Sequence, residues 1–303
     1  MQTQTLTEAP RLGKLYLQAV VTARLGGGGA LPDTELVLPD QVVDPGHLAA
    51  YVRVCGGSLR DRLPATYPHL LAFPLQVRLL ADRKFPLPLP GLVHLRNVCT
   101  QHRPIATDDP LTLRVHAERL VAHPKGAQVD LVATAEVSGE RVWSGRSTYL
   151  ARGSDAHGAH GATAPATVDG VAAGPAVELA DDAAAAVWRI PADAGRRYAA
   201  VSGDVNPIHL NALAARVFGF PRAIAHGMWC KARALAAVEA RLPDAFAVDV
   251  AFRKPVLLPS TVHHVVRRAA DGWDFALLRP NGEGAHLVGT VRPPADEVLP
   301  APR

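Results

Sequence analysis

A chain of 303 residues, 48% of them hydrophobic, has material for two domains of about 150 residues each or one larger one, with an ordinary globular composition. No stretch approaches 18 uninterrupted apolar residues, and Met1 to Glu8 lacks the basic flank and apolar run of a secretory signal; this points to a cytoplasmic protein without a membrane span. A formal charge of +4 spread along the chain disfavours nucleic acid as a partner, and three isolated cysteines (Cys55, Cys99, Cys230) fit buried small apolar side chains rather than a disulfide framework or a metal site.

In chain order, Gly26 to Gly29 lack the spacing and the Lys-Ser/Thr of a phosphate loop and form a flexible turn. Ala65 to Asp82 is helical in pattern despite Pro68 and Pro74. Strand-like alternation then covers Leu111 to Val121, Ala127 to Val137 and Arg141 to Leu150, with turns at Pro124-Lys125-Gly126 and Ser138-Gly139-Glu140, which makes an antiparallel meander. Residues 153–178 are rich in Gly and Ala and poor in large apolar side chains, so they form a linker, with His157 and His160 as solvated loop residues rather than metal ligands. Beyond it, Met228 to Leu242 has good helix formers with Leu235, Val238 and Leu242 at helical spacing. Strands follow at Ala247 to Phe252, Thr261 to Arg268, Trp273 to Arg279 and Ala285 to Arg292, with turns at Asp271-Gly272 and Pro280-Asn281-Gly282. Trp188, Trp229 and Trp273 fit core positions better than a stacking platform.

The two halves match in order. Tyr51 to Gly57 resembles Tyr198 to Asp204, Pro68-His69 resembles Ala225-His226, and His102 to Ile105 resembles Phe252 to Val256, each block preceding or following a helix or meander in the same sense. The expected organisation is a repeat over 1–152, the linker, and a second repeat over 179–303. One helix with an antiparallel sheet is an α+β unit that leaves an edge and a face open, and two copies can close each other edge to edge.

The chemistry concentrates in Tyr198 to His209 and Ile224 to Met228. Gly203, Asn206 and Pro207 form turns, so Asp204 and His209 are expected on a loop that aims both side chains at one point. A carboxylate and an imidazole so placed can handle one water, although a capped turn with an ordinary histidine fits the same residues. The second block sharpens the choice. Gly227 stands where an extended segment enters a helix, a place whose free N–H can hold a developing oxyanion, or where a glycine serves only tight packing.

Together, Tyr-x-x-x-Ser-Gly-Asp-x-Asn-Pro-x-His and the following Ile-Ala-His-Gly-Met resemble the hydratase-2 motif of MaoC-like dehydratases, over residues 184–293. The resemblance implies a double hotdog fold and reversible syn addition of water to a trans-2-enoyl thioester, giving an (R)-3-hydroxyacyl thioester, without a metal or redox cofactor. It assigns Asp204 and His209 to the water and the Gly227 N–H to the thioester carbonyl, with Asn206 bracing the loop and Ile224, His226 and Met228 beside the substrate. Some relatives carry a serine on the central helix, and Ala232 to Val238 has none. Arg253 and Lys254 are candidates for the phosphates of the thioester carrier, coenzyme A or acyl carrier protein, although a solvated strand end suits them equally.

The first half matches by omission: Gly57 stands where Asp204 stands, and 12 positions separate Gly57 from His69 against 22 from Asp204 to His226. One active site per chain is expected, with the relaxed first half widening the acyl tunnel; homodimers of such chains are a further expectation. The competing functions on this fold are a non-catalytic acyl-thioester-binding protein, which has no need of an acid–base pair, and a thioesterase, which usually lacks the Asp-x-Asn-Pro-x-His loop.

Overall fold

A computed structural model describes residues 1–16, 30–154, 177, 184–281 and 284–294, so Gly26 to Gly29, His157, His160 and nearly all of the linker lie outside the described residues. The first half runs β1 (Gln2–Thr5), β2 (Thr34–Gln41), α1 (Pro45–Cys55), α2 (Tyr67–Leu80), β3 (Val93–Gln101), β4 (Leu111–His123), β5 (Gly126–Val137) and β6 (Glu140–Arg152). The second runs β7 (Ala184–Ile190), α3 (Ala194–Ser202), α4 (Pro207–Leu210), α5 (Ala212–Val217), α6 (Gly227–Ala236), β8 (Phe246–Phe252), β9 (Ser260–Ala269), β10 (Gly272–Leu278) and β11 (Ala285–Arg292). Among the described residues the strands form one sheet in the order β1-β2-β4-β5-β6-β3-β8-β11-β10-β9-β7.

That order contains the repeat. From the outside inward the first half reads β2-β4-β5-β6-β3 and the second β7-β9-β10-β11-β8, and the two meet where β3 pairs antiparallel with β8, from Arg96 opposite Ala251 to Gln101 opposite Phe246. Joining at these edges buries two rows of main-chain groups that a lone repeat would expose. The fold is the double hotdog that the motif implies, with a helix of each half enclosed by its sheet.

The six meander strands (β4, β5, β6, β9, β10 and β11) and β8 lie within one or two residues of their expected bounds. The strands β2, β7 and β3 and the helices α1 and α3 carry no clear period in the sequence and emerge only in the fold. The helix expected over Met228 to Leu242 stops at Ala236. Past that point Glu239 accepts a hydrogen bond from Ser58 N at 2.9 Å and pairs with Arg60 at 3.6 Å, and these ties to the first half draw the segment off the helix axis into a short 3-10 turn.

The apolar core is shared. Tyr51 of α1 meets the Tyr67 ring edge-on at 5.2 Å and lies 6.3 Å from its counterpart Tyr198 on α3. Polar ties cross the same junction: Trp229 Nε1 donates to Val54 O at 3.0 Å, and His47 Nε2 donates to Val201 O at 2.8 Å while its Nδ1 accepts from Tyr67. Lys231, wholly buried on α6, donates to Asn97 Oδ1 (2.5 Å), Asn97 O (3.1 Å) and Val248 O (3.2 Å), so one ammonium joins β3 to β8 with all three of its protons used. Cys55, Cys99 and Cys230 are buried and unpaired. Trp229 and Trp273 are buried, and Trp188 is half-buried against His264.

Candidate active site

α3 ends on Gly203, whose φ of 68° is the left-handed cap conformation that glycine adopts without a Cβ penalty. The chain therefore leaves the helix sharply and Asp204 turns inward. Its main chain and side chain then organise the turn: Asp204 N donates to Ser202 Oγ (3.2 Å) and Asp204 Oδ1 accepts from Asn206 N (3.2 Å). Asn206 caps the next segment, its Oδ1 accepting from Ile208 N, and Pro207 occupies the first helical turn. His209 was expected on a loop and instead sits on this one-turn helix, because the same Asn-Pro pair that breaks one helix starts another. Its Nδ1 lies 2.9 Å from Ile224 O; a carbonyl only accepts, so Nδ1 carries the proton and Nε2 the lone pair.

Ile224 thus contributes its carbonyl to the site, and the next residues lead into α6. His226 is the N-cap and Gly227 the first helical residue, so the Gly227 N–H has no intrahelical acceptor. A Cβ at Gly227 would come within 2.9 Å of the Phe252 ring, which gives this glycine a packing reason alongside any role for its amide. His226, expected beside the substrate, lines the cavity and is only 3% exposed, and it also holds the turn: its Nε2 donates to Asp204 O at 3.0 Å, and its ring stacks on His209 at 3.7 Å.

Charges here are set by burial and by donors. Burial pushes the Asp204 carboxyl up, but the facing His226 and His209, the Tyr16 hydroxyl and the Asn206 amide outweigh it and hold it below its ordinary value. Burial pushes His209 down, opposed by the Asp204 carboxylate and the Ile224 carbonyl. His226 is driven down to about 3 by burial and by His209. At neutral pH the site therefore presents one carboxylate and neutral imidazoles.

All nine residues singled out in the sequence line one cavity of about 250 Å³: Asp204, Asn206, His209, Ile224, His226, Gly227, Met228, Arg253 and Lys254. Sequence reasoning missed what the first half adds to it, including Tyr16, His69, His94 and Tyr149. Only the likeness of His69 to His226 offered a signal, and that was imperfect, since His69 falls inside α2 whereas His226 caps α6. A wider cleft of about 710 Å³ shares Arg152, Phe220 and Lys254 with the cavity and adds Arg222 and Arg279. Ligating atoms of Asp204, His209 and His226 lie within 4.8 Å of one another.

Known proteins match this arrangement. A family model described as "MaoC like domain" matches residues 173–272. The chain is 40% identical over 262 residues to 3-hydroxyacyl-thioester dehydratase X of Mycobacterium tuberculosis, covering 86% of this chain and 90% of that protein. Among solved structures, that of HtdX from Mycobacterium tuberculosis superposes with a TM-score of 0.72 at 39% identity, covering 86% of this chain and all of the other. A MaoC-like dehydratase from Phytophthora capsici shares the fold at a TM-score of 0.69 and 17% identity, over 88% of this chain and 97% of the other. The chain belongs to the MaoC-like dehydratase family, of the double-hotdog hydratase-2 type.

Proposed function

We propose that the protein is an (R)-specific enoyl-thioester hydratase, equally a 3-hydroxyacyl-thioester dehydratase, as the name of its 40% identical relative indicates for that protein. The observation that carries the reading is the pairing of the Asp204 carboxylate with the His209 side chain in one cavity beside the first amide of α6. Asp204 Oδ2 and the His209 Nε2 lone pair are both acceptors, so a water between them is held by its two hydrogens and turns its oxygen lone pairs outward. That oxygen adds to C3 of the enoyl thioester. The carbonyl gains enolate charge, which the Gly227 N–H and the dipole of α6 stabilise. The proton taken from the water returns to C2 from the same pair and hence from the same face, which gives syn addition; the reverse sequence expels water. All atoms are accounted for by acid–base chemistry, and the reading needs no metal or redox cofactor.

The acyl chain extends into the first half, where Phe73, Leu80, Leu89 and Leu92 line the cavity. Among the described residues no acidic loop closes that side, which suits chains longer than four carbons. The carrier is coenzyme A or an acyl carrier protein, whose phosphates lie toward the wider cleft. Replacing Lys254 and Arg253 with alanine is expected to raise KM for an enoyl-CoA about tenfold and to leave kcat within twofold, since Lys254 lines both the cavity and the wider cleft, Arg253 is its neighbour in the chain, and neither belongs to the pair proposed to handle the water. An unchanged KM would place the phosphates elsewhere.

The test of the reading itself is direct. Addition of the protein to crotonyl-CoA should bleach the enoyl-thioester absorbance and yield the (R)-3-hydroxy product by chiral analysis. Binding without loss of absorbance, for crotonyl-CoA and longer enoyl-CoAs alike, would favour a non-catalytic acyl-binding protein; release of free thiol would favour a thioesterase.

A further inference from the structure

Residues 12–16 are helical and stand between β1 and β2, outside the segment that carries the family match. Their apolar side chains attach them to both halves. Leu15 is 7% exposed in the smaller apolar core of the first half, with Leu80, Leu89 and Leu131. Leu12 leans on Gly203, so closely that a Cβ on that glycine would collide with it. The turn is thereby pinned against the start of the catalytic loop, and one residue beyond Leu15 the Tyr16 hydroxyl donates to Asp204 Oδ1 at 2.7 Å.

This contact divides the two carboxylate oxygens. Oδ1 receives Tyr16 and the Asn206 amide at 3.2 Å. Oδ2 faces His226 Nε2 at 3.6 Å, beyond a normal hydrogen bond, and that nitrogen already donates to Asp204 O. A carboxylate fixed through one oxygen by two donors cannot rotate freely, and its other oxygen is the one left for a water. Tyr16 itself stays a neutral donor, since burial and the adjacent carboxylate push its ionisation far above the ordinary phenol range.

We propose that Tyr16, delivered from the segment between β1 and β2, is a positioning residue of the active site, its hydroxyl locking Asp204 Oδ1 so that Oδ2 is presented to the reacting water. The proposal rests on the reading of Asp204 as the water-handling carboxylate. Besides Tyr16, the groups that face this carboxylate are His226 at the start of α6, His209 on α4, the Asn206 amide, and at longer range Tyr198 on α3, Tyr149 on β6, His69 on α2 and His94 on β3. Loss of the Tyr16 hydroxyl removes one of the influences that hold Asp204 low, so its titration moves upward. Asp204 works ionised, and the acid limb of the rate profile therefore moves to higher pH.

Tyr16→Phe keeps the ring on the smaller core, and Tyr16→Ala removes ring and hydroxyl together. Two readouts are taken on the full chain: the Asp204 Cγ chemical shift against pH in the free protein, and the pH profile of kcat for crotonyl-CoA hydration. For Tyr16→Phe the expected results are an Asp204 midpoint raised by about one pH unit, kcat lowered on the order of tenfold at neutral pH, KM within about twofold of wild type and an unchanged melting temperature. An Asp204 midpoint equal to wild type in Tyr16→Phe overturns the proposal. So does a Tyr16→Phe enzyme with the wild-type acid limb beside an impaired Tyr16→Ala, because that pattern assigns Tyr16 to packing alone. If the wild type proves inactive on enoyl-CoAs, the hydratase reading falls separately, and the chemical-shift titration still decides whether Tyr16 governs Asp204.

Discussion

Asp204→Asn is expected to lower kcat for hydration of crotonyl-CoA by about 10³-fold with KM little changed, the size of effect that removal of a positioned acid–base group produces. Asparagine fits the same turn and its carbonyl can still accept from Tyr16 at Oδ1, so the fold of the loop is preserved. What changes is the second position of the side chain. An amide NH2 replaces Oδ2, a donor stands where the water needs an acceptor, and the water is turned away from C3. His209→Ala is expected to cost about as much, since it removes the Nε2 lone pair and leaves the Ile224 carbonyl without its donor. Because both groups act on a single water, the double variant should be no more than about tenfold slower than the worse single one. Steady-state kinetics of the three variants decide the matter: either single variant within tenfold of wild type, or two fully additive losses, would remove the shared-water mechanism.

Stability should fall steeply between pH 7 and pH 5. An unfolded imidazole takes a proton near pH 6.5, according to its ordinary value. In the fold, burial and the nearby Lys231 hold His69 down to about 3, burial and His209 hold His226 down to about 3, and burial and Arg233 hold His264 down to about 4. Between those values the unfolded chain binds protons that the native chain refuses, so stability is lost as pH drops below about 6.5 and goes on falling until the folded groups titrate. Each of these three buried imidazoles contributes a loss of about 2 kcal/mol at pH 5, roughly 6 kcal/mol together, which is comparable to the whole stability of many domains. Asp204, lowered in the fold, acts in the same direction at more acid pH. Melting temperatures across this range test it, with His264→Phe as the control: His264 stacks on Trp188 far from the catalytic pair in sequence, and its removal should flatten the pH dependence with little effect at pH 7. A melting temperature constant from pH 7 to pH 5 would refute the account.

Much of the fold was legible because its signals are local. The meanders Leu111 to Leu150 and Thr261 to Arg292 alternate apolar and polar residues between glycine- and asparagine-bearing turns, and each strand lies close to its expected bounds. The outer strands β2 and β7 and the pairing strand β3 escaped because they are short or irregular in pattern and owe their existence to partners far along the chain. The helix α6 was overextended for the same reason: Lys231, Val238 and Glu239 suit a helix by propensity, but the ties of Glu239 to Ser58 and Arg60 exist only once the halves meet.

The sequence by itself determined the family and placed Asp204 and His209, the pair proposed to handle the water, close together, because they are joined by a five-residue turn whose Gly, Asn and Pro act within their own neighbourhood. Tertiary structure alone decided which groups surround that pair. His226 was tied to the Asp204 carbonyl, Phe252 was laid against Gly227, Lys231 was enclosed between β3 and β8, and Tyr16 was brought across 188 positions to Asp204. The physical reason is one of range: turn and capping preferences are expressed between residues a few positions apart, whereas burial and long-range hydrogen bonds depend on which surfaces the closed double sheet presses together.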